Sequence, residues 1–309
     1  MNNIYKKRKV FVVSTSFDDF PEIERFIGCF KKQSYKSLSL IIVDHGKRHR
    51  TYKEFFGKSS VIEVIKASSD LWWTGALNVG ISCALEEALA GDYILTINND
   101  CTFDKNFVSK IVSISNNNNR CIVGSFEVDA QNKEFVAGVI RADWKNGVFE
   151  NVLSVRSGKA DTLSTKGTLI PVEVFKKIGV LDEKHFPHYG SDYEFFIRAK
   201  RNGYQLLSSS EVKVYCDRKR TGISDAGEQL SLIRIMKLAF SKKSQINLLD
   251  HVNLVHFCCP PKYKARNYFF LLEKIVYLSS RVYPFSIARK FIMKIKNKLL
   301  KGLSTCSYK

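Results

Sequence analysis

The sequence predicts an α/β protein: a mainly parallel central sheet flanked by helices, followed by a helical C-terminal extension. Three observations predict it. Short β-rich runs are apolar throughout instead of alternating, as strands covered on both faces are. Those runs alternate with segments of helical period. From about Asp225 onward the chain reads as helical, basic and aromatic.

Taken in order, "KVFVVST" (9–15) is the first strand. Pro21 opens a helix with Ile23, Phe26, Ile27 and Phe30 at helical spacing. "SLSLIIVD" (37–44) and "SVIEVIKA" (60–67) are the next two strands. A helix over Thr74–Leu89 follows, with Leu77, Ile81, Ala84, Leu85 and Ala88 on one side. "DYILTIN" (92–98) is the fourth strand and "KNFVSKIVSIS" (105–115) the next helix. After Asn119 come "CIVGSFEV", "EFVAGVIRA" and "GVFENVLSV", short strands forming an antiparallel insertion or sheet extension. "TLIPVEVFKKIG" reads as a strand end and a helix stopped by Gly179, and "SDYEFFIRAKRNG" as a helix stopped by Gly203. "YQLLSSSEVKVYCD" (204–217) supplies one or two further strands, and the polar loop near 218–225 divides the chain at 1–224 and 225–309.

Composition narrows the class. With 45% hydrophobic residues, 309 residues suffice for one large α/β unit and an appendage. The net charge of +19 points to phosphorylated ligands, an anionic membrane surface or nucleic acid. Twelve of the Lys and Arg residues, against Glu273 alone, fall between Lys262 and Lys309. No nucleic-acid fold or stacking motif accompanies them, so nucleic acid is set aside. Apolar Phe269, Phe270, Leu272, Ile275, Val276 and Leu278 interleave with the bases, which suits either a core-packing helix with a solvated face or helices lying on anionic lipid. The eight cysteines make no C-x-x-C pair, so neither a zinc framework nor a disulfide scaffold is expected, and a reducing compartment is. "MNNIYKKRKVFVVST" has no secretory h-region and no apolar run reaches bilayer length. The expectation is a cytoplasmic protein, soluble or peripheral on the inner membrane face.

Chemistry gathers where strands end. In a parallel sheet, ligands bind outside the carboxyl ends of the strands. Asp44 closes the second strand, and Asn98-Asn99-Asp100 follows the fourth. Asp100 could hold a hard divalent cation, though Asn-Asn-Asp is also turn chemistry. "STSFDDFPEI" after the first strand has no glycine, so any phosphate must be held without a glycine cradle. In "DLWWTGALNVGI", paired tryptophans sit in a polar loop, and Gly75 and Gly80 around Asn78 allow close approach. Asp192 heads a helix beside Ser191. If Ser191 caps the helix, Asp192 is free to act as a general base. His185 and His188 flank Pro187, a spacing that does not suit a dedicated zinc site.

These motifs, in this order, resemble family 2 glycosyltransferases of the GT-A fold over about residues 8–217. The resemblance is particularly to bacterial enzymes of the rhamnosyltransferase-like group that build surface polysaccharide. "VVSTSFDDFPEIERFIGCFKKQSY" is similar to the family's first strand and nucleotide-contacting turn, which implies contacts from Thr15 and Phe17. "LIIVDHG" implies that Asp44 meets the nucleobase or ribose. "WWTGALNVGI" assigns Trp73 and Asn78 to the donor side. "TINND" resembles the metal motif, with Asp100 as ligand and Asn98 and Asn99 as donor contacts. "STKGTLIPVEVF" puts Gly167 at the close approach to the sugar. "HYGSDYEFFIRAKRNGY" implies Asp192 as the base, with His188 and Tyr189 toward the acceptor. Asp217 stands near the family's second metal ligand.

The resemblance implies a Rossmann-like sheet with a nucleotide-sugar half (about 1–120) and an acceptor half (about 121–224). It implies an inverting transferase using Mg²⁺ or Mn²⁺, a nucleoside-diphosphate sugar and a glycan or lipid-linked acceptor. Two other classes share parts of the pattern: a sugar nucleotidyltransferase, and a non-catalytic membrane- or polyanion-binding protein.

Overall fold

The structure, a computed structural model, describes residues 8–48, 61–153, 156–217, 237–244 and 247–280. The predicted boundary loop, most of the first C-terminal segment and everything after residue 280 lie outside the described residues.

Four strands carry the parallel half: β1 (Val10–Ser16), β2 (Leu38–Asp44), β3 (Ile62–Lys66) and β4 (Tyr93–Thr96). They run in the order β4-β1-β2-β3, each parallel to its neighbour. Successive strand side chains point to opposite faces, and here both faces are covered. Val10 and Val12 join one core with Ile23 and Phe26 of α1 (Phe20–Lys31) and Ile111 of α3 (Phe107–Asn117). Phe11 and Val13 join the other with Ala76, Leu77 and Ile81 of α2 (Trp72–Glu87). That is why the strand runs lack alternation. Gly80 lets α2 lie directly on the sheet: a Cβ there would come within 2.6 Å of Val13 Cγ1 and 3.0 Å of Val43 Cγ2.

α2 begins two residues earlier than the hydrophobic period predicts. Trp72 and Trp73 therefore sit in its first turn, not in a loop, and the 3₁₀ turn Ser69–Leu71 leads into them.

The second half extends the sheet. It comprises β5 (Cys101–Phe103), β6 (Ile122–Asp129), β7 (Phe135–Ala137), β10 (Ser157–Lys159), β11 (Thr168–Pro171) and β12 (Leu206–Cys216). The main path is β10-β12-β6-β11-β4-β1-β2-β3. β11 is antiparallel to both neighbours, while β6 and β12 are parallel to each other. The predicted insertion is thus partly sheet extension and partly a separate hairpin, β8 (Val139–Asp143) with β9 (Val148–Val152). Helices α4 (Val172–Ile178) and α5 (Ser191–Arg201) complete this half.

The described C-terminal helices, α6 (Leu248–Cys258) and α7 (Pro261–Ser280), pack on the first 217 residues. Arg201 donates to the Phe257 carbonyl at 2.7 Å and to that of Cys258. Asn253 Nδ2 donates to the His185 carbonyl at 2.9 Å, and Asn267 Nδ2 to that of Trp144 at 2.7 Å. Among the described residues no helix is long and apolar enough to cross a membrane.

One expectation about the cysteines is corrected. β5 pairs antiparallel with β12, and the register sets Cys101 opposite Cys216. Their Cα atoms are 4.6 Å apart and the two form a disulfide across 115 residues. Cysteine spacing could not reveal this, because the pairing follows from the sheet order.

Candidate active site

The chain leaves β4 at Thr96 and turns at once. Cys101 N–H donates to the Asn98 carbonyl at 3.2 Å, so Asn98-Asn99-Asp100 is a turn at a strand's carboxyl end. Asn98 lines a cavity of about 760 Å³, together with Trp73, Glu127, Lys166, His188 and Asp192. Asp100 stands beside it. Burial raises the Asp100 carboxyl above its ordinary range, Lys166 opposes that, and Glu127 adds to it.

Asp192 reaches the cavity because α5 starts abruptly. Gly190, at φ 85°, takes the left-handed cap position. Ser191 does not cap the helix. Its hydroxyl is wholly buried 3.0 Å from Thr74 Oγ1, which itself donates to the Phe186 carbonyl at 2.7 Å. Asp192 Oδ1 accepts the Tyr193 N–H at 2.8 Å. Burial pushes the Asp192 pKa up to about 6; Glu127 pushes the same way and Lys166 opposes. A carboxylate with a pKa near working pH suits general-base work.

Glu127 and Lys166 are site residues the sequence did not reveal. Lys166 Nζ lies 3.2 Å from Glu127 Oε2, and Ser164 Oγ donates to Glu127 Oε1 at 2.9 Å. Burial pulls the lysine pKa down, but Glu127 and then Asp100 and Asp192 outweigh it and hold it above the ordinary value. In "FEVD" Glu127 is one of two acids on a strand, with no local mark of a site. The fold brings it to Lys166, in the loop that enters β11, and to the cavity.

The other predicted residues divide. Trp73, His188 and Tyr189 line the cavity. Burial, then Lys243 and His45, lower the His188 pKa to about 4, so this imidazole is neutral near pH 7. Its buried Nδ1 has no hydrogen-bond partner among the described residues. Thr15 is buried near the end of β1, and Phe17, 43% exposed, meets the His45 ring at 5.1 Å. Asp18 binds the loop after β2, accepting Lys47 N–H at 3.2 Å and Arg48 N–H at 2.7 Å. Asp44 is ion-paired with Lys66 and accepts the Gly46 N–H at 3.1 Å.

Two residues assigned by resemblance make other contacts. Asn78 Nδ2 donates to the Leu181 carbonyl at 2.9 Å and to Glu183 Oε2 at 2.7 Å, and its Oδ1 accepts the Leu181 N–H at 3.1 Å. Its amide thus joins α2 to the 181–183 loop. Gly167, at φ 77°, makes its close approach to Ser125 and Val214, where a Cβ would come within 2.5 Å and 2.7 Å.

Ligand atoms of Asp100, Cys101 and Cys216 lie within 4.8 Å of one another. The two sulfurs are joined, so neither is a thiolate. The oxygen-bearing side chains next to this pair along the chain are Asp100, with Asn98 and Asn99 before it in the turn, and Asp217, which follows Cys216. An all-oxygen set fits a hard cation such as Mg²⁺ or Mn²⁺ and does not suit zinc. Asp217 itself lies 3.5 Å from Gln131 Nε2.

Three comparisons bear on this geometry. Residues 11–179 match the family model described as Glycosyl transferase family 2. A Haemophilus influenzae protein named "Uncharacterized glycosyltransferase" is 22% identical over 204 residues, 63% of this chain and 61% of that protein. The Shigella flexneri "dTDP-rhamnosyl transferase RfbF" is 23% identical over 198 residues, 63% of this chain and 64% of that protein. The chain therefore matches less than two thirds of either relative's length. Among solved structures, S. aureus TarS 1–349 superposes with a TM-score of 0.52 at 14% identity, covering 92% of this chain and 74% of that one. At that identity the likeness speaks to the fold.

Proposed function

Since the chain belongs to glycosyl transferase family 2, we propose that it moves a sugar, with inversion, from a nucleoside-diphosphate sugar to a hydroxyl of a glycan or lipid-linked acceptor in surface-polysaccharide synthesis. The observation that carries this reading is the cavity itself. It is lined by the Asp192 carboxylate and by Asn98 of the β4 turn, with Asp100 next in that turn. In the proposed reaction Asp192 accepts the proton of the acceptor hydroxyl. The freed oxygen bonds to the anomeric carbon as the bond to the diphosphate oxygen breaks. A bound Mg²⁺ or Mn²⁺ would neutralise the departing diphosphate; Asp100, Asn98 and Asn99 are the oxygen donors that fit it, with Asp217 as a further candidate. Phe17 offers an exposed ring to a nucleobase, with Thr15 and Asp44 beside it.

The test is nucleotide release by the purified chain from dTDP-, UDP- and GDP-sugars, with Mg²⁺ or Mn²⁺ and with a chelator. The Shigella relative's name puts dTDP-rhamnose first. Release that survives Asp192→Asn at the wild-type rate removes Asp192 from its role, and insensitivity to the chelator removes the cation.

The C-terminal excess of Lys and Arg supports a place at the anionic inner face of the membrane. Flotation of the full chain with anionic but not zwitterionic vesicles is the expected result.

A further inference from the structure

Resting on the glycosyltransferase reading, we infer that the end of the cavity beyond Asp192 is an acceptor subsite for an uncharged saccharide, built by the β8–β9 hairpin and the two C-terminal helices.

One wall is aromatic. Trp144, in the hairpin turn, meets Phe149 of β9 with ring centroids 5.2 Å apart, and Phe149 meets Tyr193 at 4.9 Å. Tyr193 directly follows Asp192, so a run of three rings leads from the hairpin to the proposed base. α7 fixes this wall. Asn267 holds the Trp144 carbonyl at 2.7 Å, and the Phe270 ring fills the space beside Gly147. Gly147 has φ 68°, and a Cβ there would lie 2.7 Å from that ring, so the turn accepts no larger residue without shifting.

A second wall comes from α6, through Asp250, Leu254 and Val255. Asn247 caps that helix by accepting the Leu249 and Asp250 N–H groups at 2.8 Å and 3.2 Å. The Asp250 carboxylate is therefore not needed as the cap. It lines the cavity, and its buried Oδ2 has no hydrogen-bond partner among the described residues. Burial raises its pKa to about 6 while Lys242 opposes. A carboxylate kept partly dry and unpaired beside a cavity is costly unless a ligand supplies donors.

The charge balance selects the ligand. Glu127, Asp192 and Asp250 contribute three carboxylates to the lining, and Lys166, the lining lysine, is already held by Glu127. His188 is neutral near pH 7. Lys242, which acts on Asp250, and Lys243, which acts on His188, flank the cavity without lining it, so a phosphate or uronate at this end would meet the Asp192 and Asp250 carboxylates first. A neutral sugar ring presents apolar C–H faces to aromatic rings and hydroxyl donors to carboxylates, which is what these walls offer. The whole cavity, of which this subsite is one end, has a volume of about 760 Å³, within the range of roughly 300–1,000 Å³ typical of small-ligand sites.

The experiment presents the labelled full chain, with dTDP and Mg²⁺, to an array of three probe sets. These are neutral oligosaccharides, uronate-containing oligosaccharides and polyol-phosphate oligomers. Binding within the neutral set is expected, weakened about tenfold or more in Trp144→Ala and in Asp250→Asn, the loss expected of one ring or hydrogen-bond contact. Asp250→Asn preserves shape, so it decides the matter if the tryptophan variant does not fold. Preferential binding of the uronate or polyol-phosphate set, binding of none, or neutral binding unchanged in Asp250→Asn overturns the inference. Nucleotide affinity, measured in parallel by titration calorimetry, separates the two levels. A chain that binds none of dTDP, UDP and GDP overturns the glycosyltransferase reading as well, whereas one that binds them and fails the array overturns the subsite alone.

Discussion

Lys166 Nζ lies 3.2 Å from Glu127 Oε2, and this pair lines the same cavity as Asp192. The two members act on Asp192 in opposite senses: the glutamate raises its pKa and the lysine lowers it. Lys166→Met leaves Glu127 unopposed, so the acid limb of kcat/KM should move to higher pH. Glu127→Gln should move it to lower pH. A purely structural pair would lower activity in both variants without moving the limb in opposite directions.

Asp192→Asn should abolish transfer and stabilise the fold. Loss of a general base costs about 10²–10⁴-fold in rate. For stability the sign runs the other way. The folded pKa of about 6 lies above the ordinary 3.8, so the fold holds this proton more tightly than the unfolded chain does. That contribution is complete below the unfolded pKa and is lost as pH rises through about 6, leaving a buried charge at pH 7. Two pKa units correspond to about 3 kcal/mol, the upper limit of the gain. Thermal melts should show the variant above the wild type at pH 7, with the gap narrowing toward pH 4.

What could be read from the chain alone follows from distance along it. Val10–Val13 announce a strand buried on both faces because every neighbour is apolar, and Asp100 and Asp192 declare themselves by standing where a strand ends and a helix begins. Glu127, Lys166, Trp144 and Asp250 carry no such local mark. They meet because β6 closes on β11 and because α6 and α7 dock onto α5 and the hairpin. Ser191 misled for the same reason. A serine before a helix reads as a cap, and nothing local shows Thr74, 117 residues away, taking its hydroxyl.

The Cys101–Cys216 disulfide can be counted. The sequence has eight cysteines, and a thiol titration of the unreduced, unfolded chain should find no more than six. Finding eight would mean the pair is reduced in solution. With a sequence separation of 115, the bond should contribute about 4–5 kcal/mol by constraining the unfolded chain. A dithiol reductant should therefore lower the melting temperature of the wild type and leave that of Cys101→Ser unchanged.

Asn78 separates resemblance from structure. Similarity to the family assigns it to the donor, yet all three of its hydrogen bonds go to Leu181 and Glu183, and it is 6% exposed. Asn78→Ala should leave the Leu181 N–H and carbonyl buried and unpaired, at a cost of roughly 3 kcal/mol for the three bonds. Asn78→Asp keeps the acceptor for the Leu181 N–H but sets a carboxylate against the Leu181 carbonyl and Glu183, so it should be no better tolerated. Neither substitution should weaken binding of a nucleoside diphosphate at a temperature where the variant is folded. Urea denaturation and titration calorimetry on the same samples read the two quantities separately. Wild-type stability with weakened nucleotide binding would return Asn78 to the donor side; lost stability with intact binding assigns it to joining α2 to the loop that leads into Asp192.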